Sequence, residues 1–228
     1  MTTFSLEPLD LAALLCSRVC HDVISPVGAI VNGLEMMEDE KDADMRAFAM
    51  DLIKKSAETA SAKLQFCRLA FGGAASTGAT IDTGDAEKVA RGLIEDEKVK
   101  LAWNAPRVLM SRSKVKLLLN LCLIAAASVP RGGSVVVTVT GEGDHVSMRV
   151  ESRGTILRLA SHVKDLLDGR PENNSIDAHG IQAYYTGLVA RSVGMSLTLK
   201  VDPEMVMLEA FDAAVIAAQP VEISAVAA

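Results

Sequence analysis

His21 and Asp22 are adjacent, and Ser25-Pro26 follows one turn later. An imidazole can attack a phosphoryl group with its neutral nitrogen. A neighbouring carboxylate can fix its tautomer or favour the developing imidazolium. The stretch Cys20 to Gly28 lies inside a repeat of apolar or small residues at positions 9, 13, 16, 20, 23, 27, 30, 34 and 37. Spacing that alternates four and three is the seam of a helical bundle or coiled coil. His21 is one residue past the Cys20 seam position, so it points away from the bundle axis. Arg18, Ser25, Gly28 and Asn32 share its face at helical spacing and are candidate docking residues for a partner. Pro26 removes a backbone N–H and crowds the carbonyl of Asp22, which predicts a bend beside His21. His145, His162 and His179 fall in a hairpin turn, on an amphipathic helix and at a helix start, where a surface or structural role is the default.

The elements that must hold His21 follow from the same periodicity. A first helix is predicted over 5–38, a charged break over 38–42 and a second helix over 43–71. The two make an antiparallel hairpin. A lone hairpin with apolar faces this wide cannot cover itself. Two copies would form a four-helix bundle, so a homodimer is expected; the structural alternative is that the rest of the chain covers it. Gly72 to Gly78 is small and flexible in composition and marks a boundary. Beyond it the predicted elements alternate: helices over 85–99, 113–128, 157–167 and 178–193, with strands over 107–111, 134–140, 146–151, 195–201 and 205–211. Helices interspersed with antiparallel hairpins predict an α+β two-layer sandwich. The expected division is a phosphotransfer hairpin over 1–75, the sandwich over 76–215 and a tail over 216–228.

Composition narrows the function classes. The 228 residues carry a net charge of -6, against the basic stripe that a nucleic-acid partner requires. No signal peptide is evident, and no uninterrupted apolar run reaches the roughly 18 residues of a membrane span. The longest candidate, 115–129, is broken by Lys116, Asn120 and Ser128. Of four cysteines, at 16, 20, 67 and 122, Cys16 and Cys20 are four apart on one helix face; without His or Cys partners at metal-ligand spacing they are expected in the core. A reduced, cytoplasmic protein with no metal site of its own is the expectation.

His21-Asp22-Val23-Ile24-Ser25-Pro26-Val27 resembles the H-box of bacterial sensor histidine kinases, which reads His-Asp/Glu, two residues, a small polar residue, then Pro-Leu. The resemblance implies a dimeric four-helix bundle bearing a Bergerat-like ATPase sandwich on each protomer. The nucleotide motifs depart from that pattern. The kinase N-box reads Asn-Leu-Leu, any residue, Asn-Ala; here Asn120 survives but the magnesium-binding Asn is Ile124. The Asp of the adenine-reading box is Ser152, its first Gly is kept as Gly154, and its second is Ile156. The glycine-rich phosphate loop is reduced to His179-Gly180. An apolar Ile cannot ligate magnesium, and Ser152 lacks the carboxylate that reads adenine.

An H-box joined to a degenerate ATPase-like domain resembles the histidine phosphotransferases of the alphaproteobacterial cell-cycle phosphorelay. Such a protein takes a phosphoryl group on His21 from the receiver domain of a hybrid histidine kinase (CckA in that family). It passes the group to the receivers of response regulators such as CtrA and CpdR. Asp22 would orient the ring, and no cofactor would be bound by this chain, since magnesium comes with the receiver. The alternatives are an active histidine kinase with divergent nucleotide boxes and a non-phosphorylated dimeric scaffold or antikinase.

Overall fold

The computed structural model describes residues 4–39, 41–73, 78–141 and 145–212. The centre of the expected linker, the turn at 142–144 and the tail over 216–228 lie outside the described residues. Helix α1 spans Pro8–Asp39 and α2 spans Ala43–Ala70. Pro8 suits a first helical position, where its missing N–H has no intrahelical partner to lose. The Asp42 side chain caps α2 by accepting from the N–H groups of Asp44 and Met45. Gly33 sets the closest approach of the pair: a Cβ there would meet Ile53 Cγ1 at 2.6 Å. α1 continues as one helix through Pro26, which is buried.

The second region runs β1 (Thr80–Asp82), α3 (Thr83–Ile94), β2 (Val99–Asn104), β3 (Leu109–Ser111), α4 (Arg112–Ala127), β4 (Gly133–Thr140), β5 (Ser147–Arg153), α5 (Val163–Leu167), α6 (Ile181–Ser192), β6 (Met195–Asp202) and β7 (Met205–Asp212). The main sheet is ordered β2-β4-β5-β7-β6, with β2 parallel to β4 and the other pairs antiparallel. β1 and β3 form a separate antiparallel pair. Alternation along β5 turns Met148, Val150 and Ser152 into the core and leaves Arg149, Glu151 and Arg153 on the outer face. α3, α4 and α6 pack against the inner face. The fold class is therefore the expected one, a helical hairpin followed by an α+β sandwich.

Three local expectations are corrected. The helix expected over 85–99 ends at Ile94, and Val99–Asn104, for which no element was expected beyond residue 99, is an edge strand whose parallel partner lies thirty-odd residues away in β4. Helix over 157–167 is confined to Val163–Leu167. By length and composition α1 over Pro8–Glu38 is also long and apolar enough to cross a membrane; counting uninterrupted runs missed it because Arg18, His21 and Asp22 fall in its middle.

The hairpin is seated on the sandwich at one end. Phe66 and Ala70 of α2 belong to the main core, and Leu11, Leu14 and Leu15 of α1 pack against it. Ahead of α1, the Leu6 N–H donates to the Tyr184 hydroxyl at 3.2 Å, and the Phe4 ring meets the Tyr184 ring edge-on. The rest of the hairpin leaves apolar side chains uncovered, among them Leu9, Ile24, Val27, Val31, Leu34, Phe48 and Leu64.

Candidate functional site

His21 stands on the open flank of α1 with its side chain 70% exposed. Its Nδ1 lies 3.5 Å from Asp22 Oδ1, an ion-pair distance that is long for a hydrogen bond. The other carboxylate oxygen of Asp22 accepts from Arg18 Nε at 3.0 Å, one helical turn back. Asp22 is thus held between Arg18 and His21. Pro26 has no N–H to give to the Asp22 carbonyl, its normal helical acceptor. Lys63 Nζ, reaching across from α2, donates to that carbonyl at 2.7 Å. The ammonium replaces the missing backbone donor at the residue beside His21, which lets the helix pass Pro26 with this carbonyl satisfied.

Ser25 and Asn32 are exposed on the same flank, and a Cβ built on Gly28 would meet nothing within 4 Å. The three present an open, low-relief surface. Arg18, by contrast, turns toward the second region, where it lines a cavity of about 570 Å³ with Ile124, Arg158, His162 and His179. The His179 ring comes to the edge of the catalytic candidate: its centroid is 5.8 Å from that of His21, with the planes at 77°.

Of the positions that resemble nucleotide boxes, Asn120, Ile124 and Ser152 lie in the core. Asn120 is fully buried; its Nδ2 donates to the carbonyls of Ala70 and Lys116, and its Oδ1 accepts from Gln182. The surviving asparagine ties the last residue of α2 to α4 and α6. Ile124 is 5% exposed and presents only methyl and methylene groups to the cavity. Ser152 is buried, with its Oγ 2.6 Å from Ser128 Oγ and donating to the Val206 carbonyl. Gly154 lies so close to the turn before β4 that a Cβ would come within 2.7 Å of the Gly132 oxygen. Ile156 is 40% exposed. The polar groups at 120 and 152 are paired inside the protein, and 124 and 156 are apolar, so this set does not fit a magnesium–nucleotide complex. Among the described residues no group of three or more His, Cys, Asp or Glu is placed to hold a metal ion.

Comparison with known proteins agrees with these features. The family model described as "Histidine phosphotransferase C-terminal domain" matches residues 83–205. "Protein phosphotransferase ChpT" of Brucella abortus (strain 2308) is 47% identical over 206 residues, covering 90% of this chain and 97% of the relative. A solved structure titled "1.7 Angstrom Structure of a Bacterial Phosphotransferase" superposes with a TM-score of 0.82 at 44% identity, covering 92% of this chain and all of that one. The chain belongs to the histidine phosphotransferase family. The coarse activity follows: histidine phosphotransfer in a phosphorelay.

Within this phosphotransferase two residues near His21 were not singled out from sequence as part of its setting. Lys63 could have been found, since a proline in the first helix calls for a donor on its antiparallel neighbour. His179 stood out in sequence only as the remnant of a phosphate loop; its approach to His21 depends on how the sandwich docks. The cysteines divide. Burial, followed by the Asp22 charge, pushes the Cys67 thiol up, and complete burial pushes Cys122 up to about 12, so neither is poised as a thiolate. Cys16 and Cys20, expected in the core, lie exposed on the uncovered flank of α1.

Proposed function

We propose that His21 is the phosphoryl acceptor and that the phosphotransferase relays the group between receiver aspartates. The donor is the receiver of a hybrid histidine kinase, and the acceptors are response-regulator receivers, of the CckA-to-CtrA and CpdR type in a cell-cycle relay. The observation that carries the reading is the exposed His21 imidazole, held by an Asp22 that is itself braced by Arg18 and Lys63. Asp22 beside Nδ1 favours the proton on that nitrogen, which leaves the Nε2 lone pair for attack. In the first transfer an N–P bond forms at Nε2 as the O–P bond of the aspartyl phosphate breaks, and the receiver carboxylate leaves with the electron pair. The second transfer is the reverse, onto another receiver. The receiver supplies magnesium, so this chain contributes position and a nucleophile. Ser25, Gly28 and Asn32 form the docking surface, with Arg18 at its edge.

Two further elements belong to the proposal. The uncovered apolar stripe of α1 and α2 pairs with that of a second copy, giving a four-helix bundle. The division into a hairpin over 1–75 and a sandwich over 76–215 is one of labour: the sandwich binds no ATP and serves as a second contact for the receiver. The working place is the cytoplasm, where receivers are found. The test is transfer of labelled phosphoryl from a phosphorylated hybrid-kinase receiver to the purified chain and on to a response regulator. Label should appear on wild type and be absent from His21→Ala. Label acquired from ATP and magnesium with no donor protein present would overturn the ATP-free reading. Unchanged regulator phosphorylation with His21→Ala would overturn the relay and favour a scaffold.

A further inference from the structure

His179 is the one histidine that meets His21. It comes from the other region of the chain, at the position where the phosphate loop of a kinase would lie. The backbone there is pinned. Asp177 Oδ1 accepts from the N–H groups of Gly180 at 2.7 Å and His179 at 3.1 Å. The Gly180 N–H, ahead of the His179 N–H, holds the Asp177 carboxylate below the usual range. Gly180 is itself packed: a Cβ there would meet Leu166 Cδ1 at 3.0 Å. The side chain of His179 is exposed and forms no hydrogen bond among the described residues, so its ring nitrogens are available to a group on His21. Its surroundings are of mixed charge, with Asp177 beside it and Arg18, Arg158 and His162 along the shared cavity, while Asp22 is paired with Arg18 and lies against His21.

A phosphoryl group on a ring nitrogen of His21 places three anionic oxygens in the space around that ring. An imidazole edge already within ring-contact distance is a hydrogen-bond donor to such oxygens, and a cation when protonated. We propose that His179 contacts the phosphoryl group carried by His21, so that the former nucleotide loop now holds the relayed group. The proposal rests on His21 being the phosphoryl carrier. In this role His179 raises the share of phosphoryl that the chain holds against its receivers. No new bond is made by His179; it stabilises the phosphohistidine relative to the bare ring.

The measurement is the equilibrium partition of labelled phosphoryl between a phosphorylated receiver and this chain, compared among wild type, His179→Ala, His179→Gln and His179→Lys. The receiver is common to all four, so its own energetics cancel. His179→Ala should lower the share on this chain about five-fold, the scale of an exposed charge-assisted contact. His179→Lys should restore it, and His179→Gln, a neutral donor, should fall between. A merely structural role would not distinguish Lys from Ala at a solvent-facing side chain. Equal partition for Ala and wild type overturns the contact while leaving His21 as carrier. Label that persists on a His21→Ala chain and vanishes with His179→Ala also overturns it, by making His179 an acceptor itself. No label on wild type would instead sink the carrier reading on which the proposal stands.

Discussion

The hairpin and the sandwich bury their apolar residues on different terms. In the sandwich, α4 alone places Val115, Leu117, Leu118, Leu119 and Leu121 at full burial, between the sheet and the neighbouring helices. In the hairpin, α1 is the more apolar helix by sequence, yet Leu9 is 84% exposed and Ile24 70% exposed. One region satisfies its hydrophobic pattern within the chain. The other satisfies it along the seam between α1 and α2 and at the end that touches the sandwich, and presents the remainder outward. The proposed phosphoryl acceptor, His21, sits on the second kind of element. A nucleophile that must be reached by successive partners belongs on a helix whose flank stays open, and a rigid core supplies the platform that braces it.

Substitutions in the two regions would break or sharpen that contrast. The largest effect belongs to His21→Ala, which should abolish phosphoryl transfer while leaving the thermal midpoint unchanged, because the side chain is exposed. A shifted midpoint would mean that the site and the platform are not separable. Next comes the platform. Leu118→Ala should cost about 3 kcal/mol in denaturant unfolding, from lost burial and the cavity left behind. Asn120→Ala should cost about 2 kcal/mol, since it strips a donor from the Ala70 carbonyl and leaves Gln182 with neither amide atom paired. Ile24→Lys should leave the unfolding of a single chain nearly unchanged but weaken self-association about ten-fold or more, as read by sedimentation across a concentration series. An unaltered association constant would mean that the exposed stripe serves some other contact.

The smallest effects are local. Lys63→Met keeps the stem of the side chain but leaves the Asp22 carbonyl without a donor. Transfer should slow several-fold, with a stability cost of about 1 kcal/mol. Acid should also act on the sandwich through Asp82 and Asp177, both held below the usual carboxylate range by backbone N–H groups of Gly84 and Gly180. A folded value below the unfolded one stabilises above the unfolded value, about pH 4, and the gain is lost as pH falls through the folded value. Asp177→Asn should therefore flatten the loss of stability below pH 4, measured as midpoint against pH.

Particular residues show where sequence reasoning reached and where it stopped. The helical pair was legible because long periodic runs with a charged break specify helices with little tertiary help, and Asp42 marks the second start. Strand β2 was not, because Val99–Asn104 is an edge strand whose parallel partner is remote in sequence, so nothing local marks it as a strand. The departures at Ile124 and Ser152 could be read as chemistry lost. That Asn120 had become a tether between α2 and α4 could not, since the same residue type serves either role.

By itself the sequence determined which residues are candidates, His21 with Asp22 beside it, the helical period that carries them and the residue types at 120, 124, 152 and 156. Those are matters of residue type and local spacing, which the chain carries in its order. The tertiary structure alone decided what surrounds His21: Arg18 and Lys63 converging on Asp22, and His179 reaching it from the far side of the chain. It also decided which apolar face is covered and which is left exposed. Contacts between elements distant in sequence depend on how a packed core seats the hairpin, and that seating is a property of the whole fold rather than of any stretch within it.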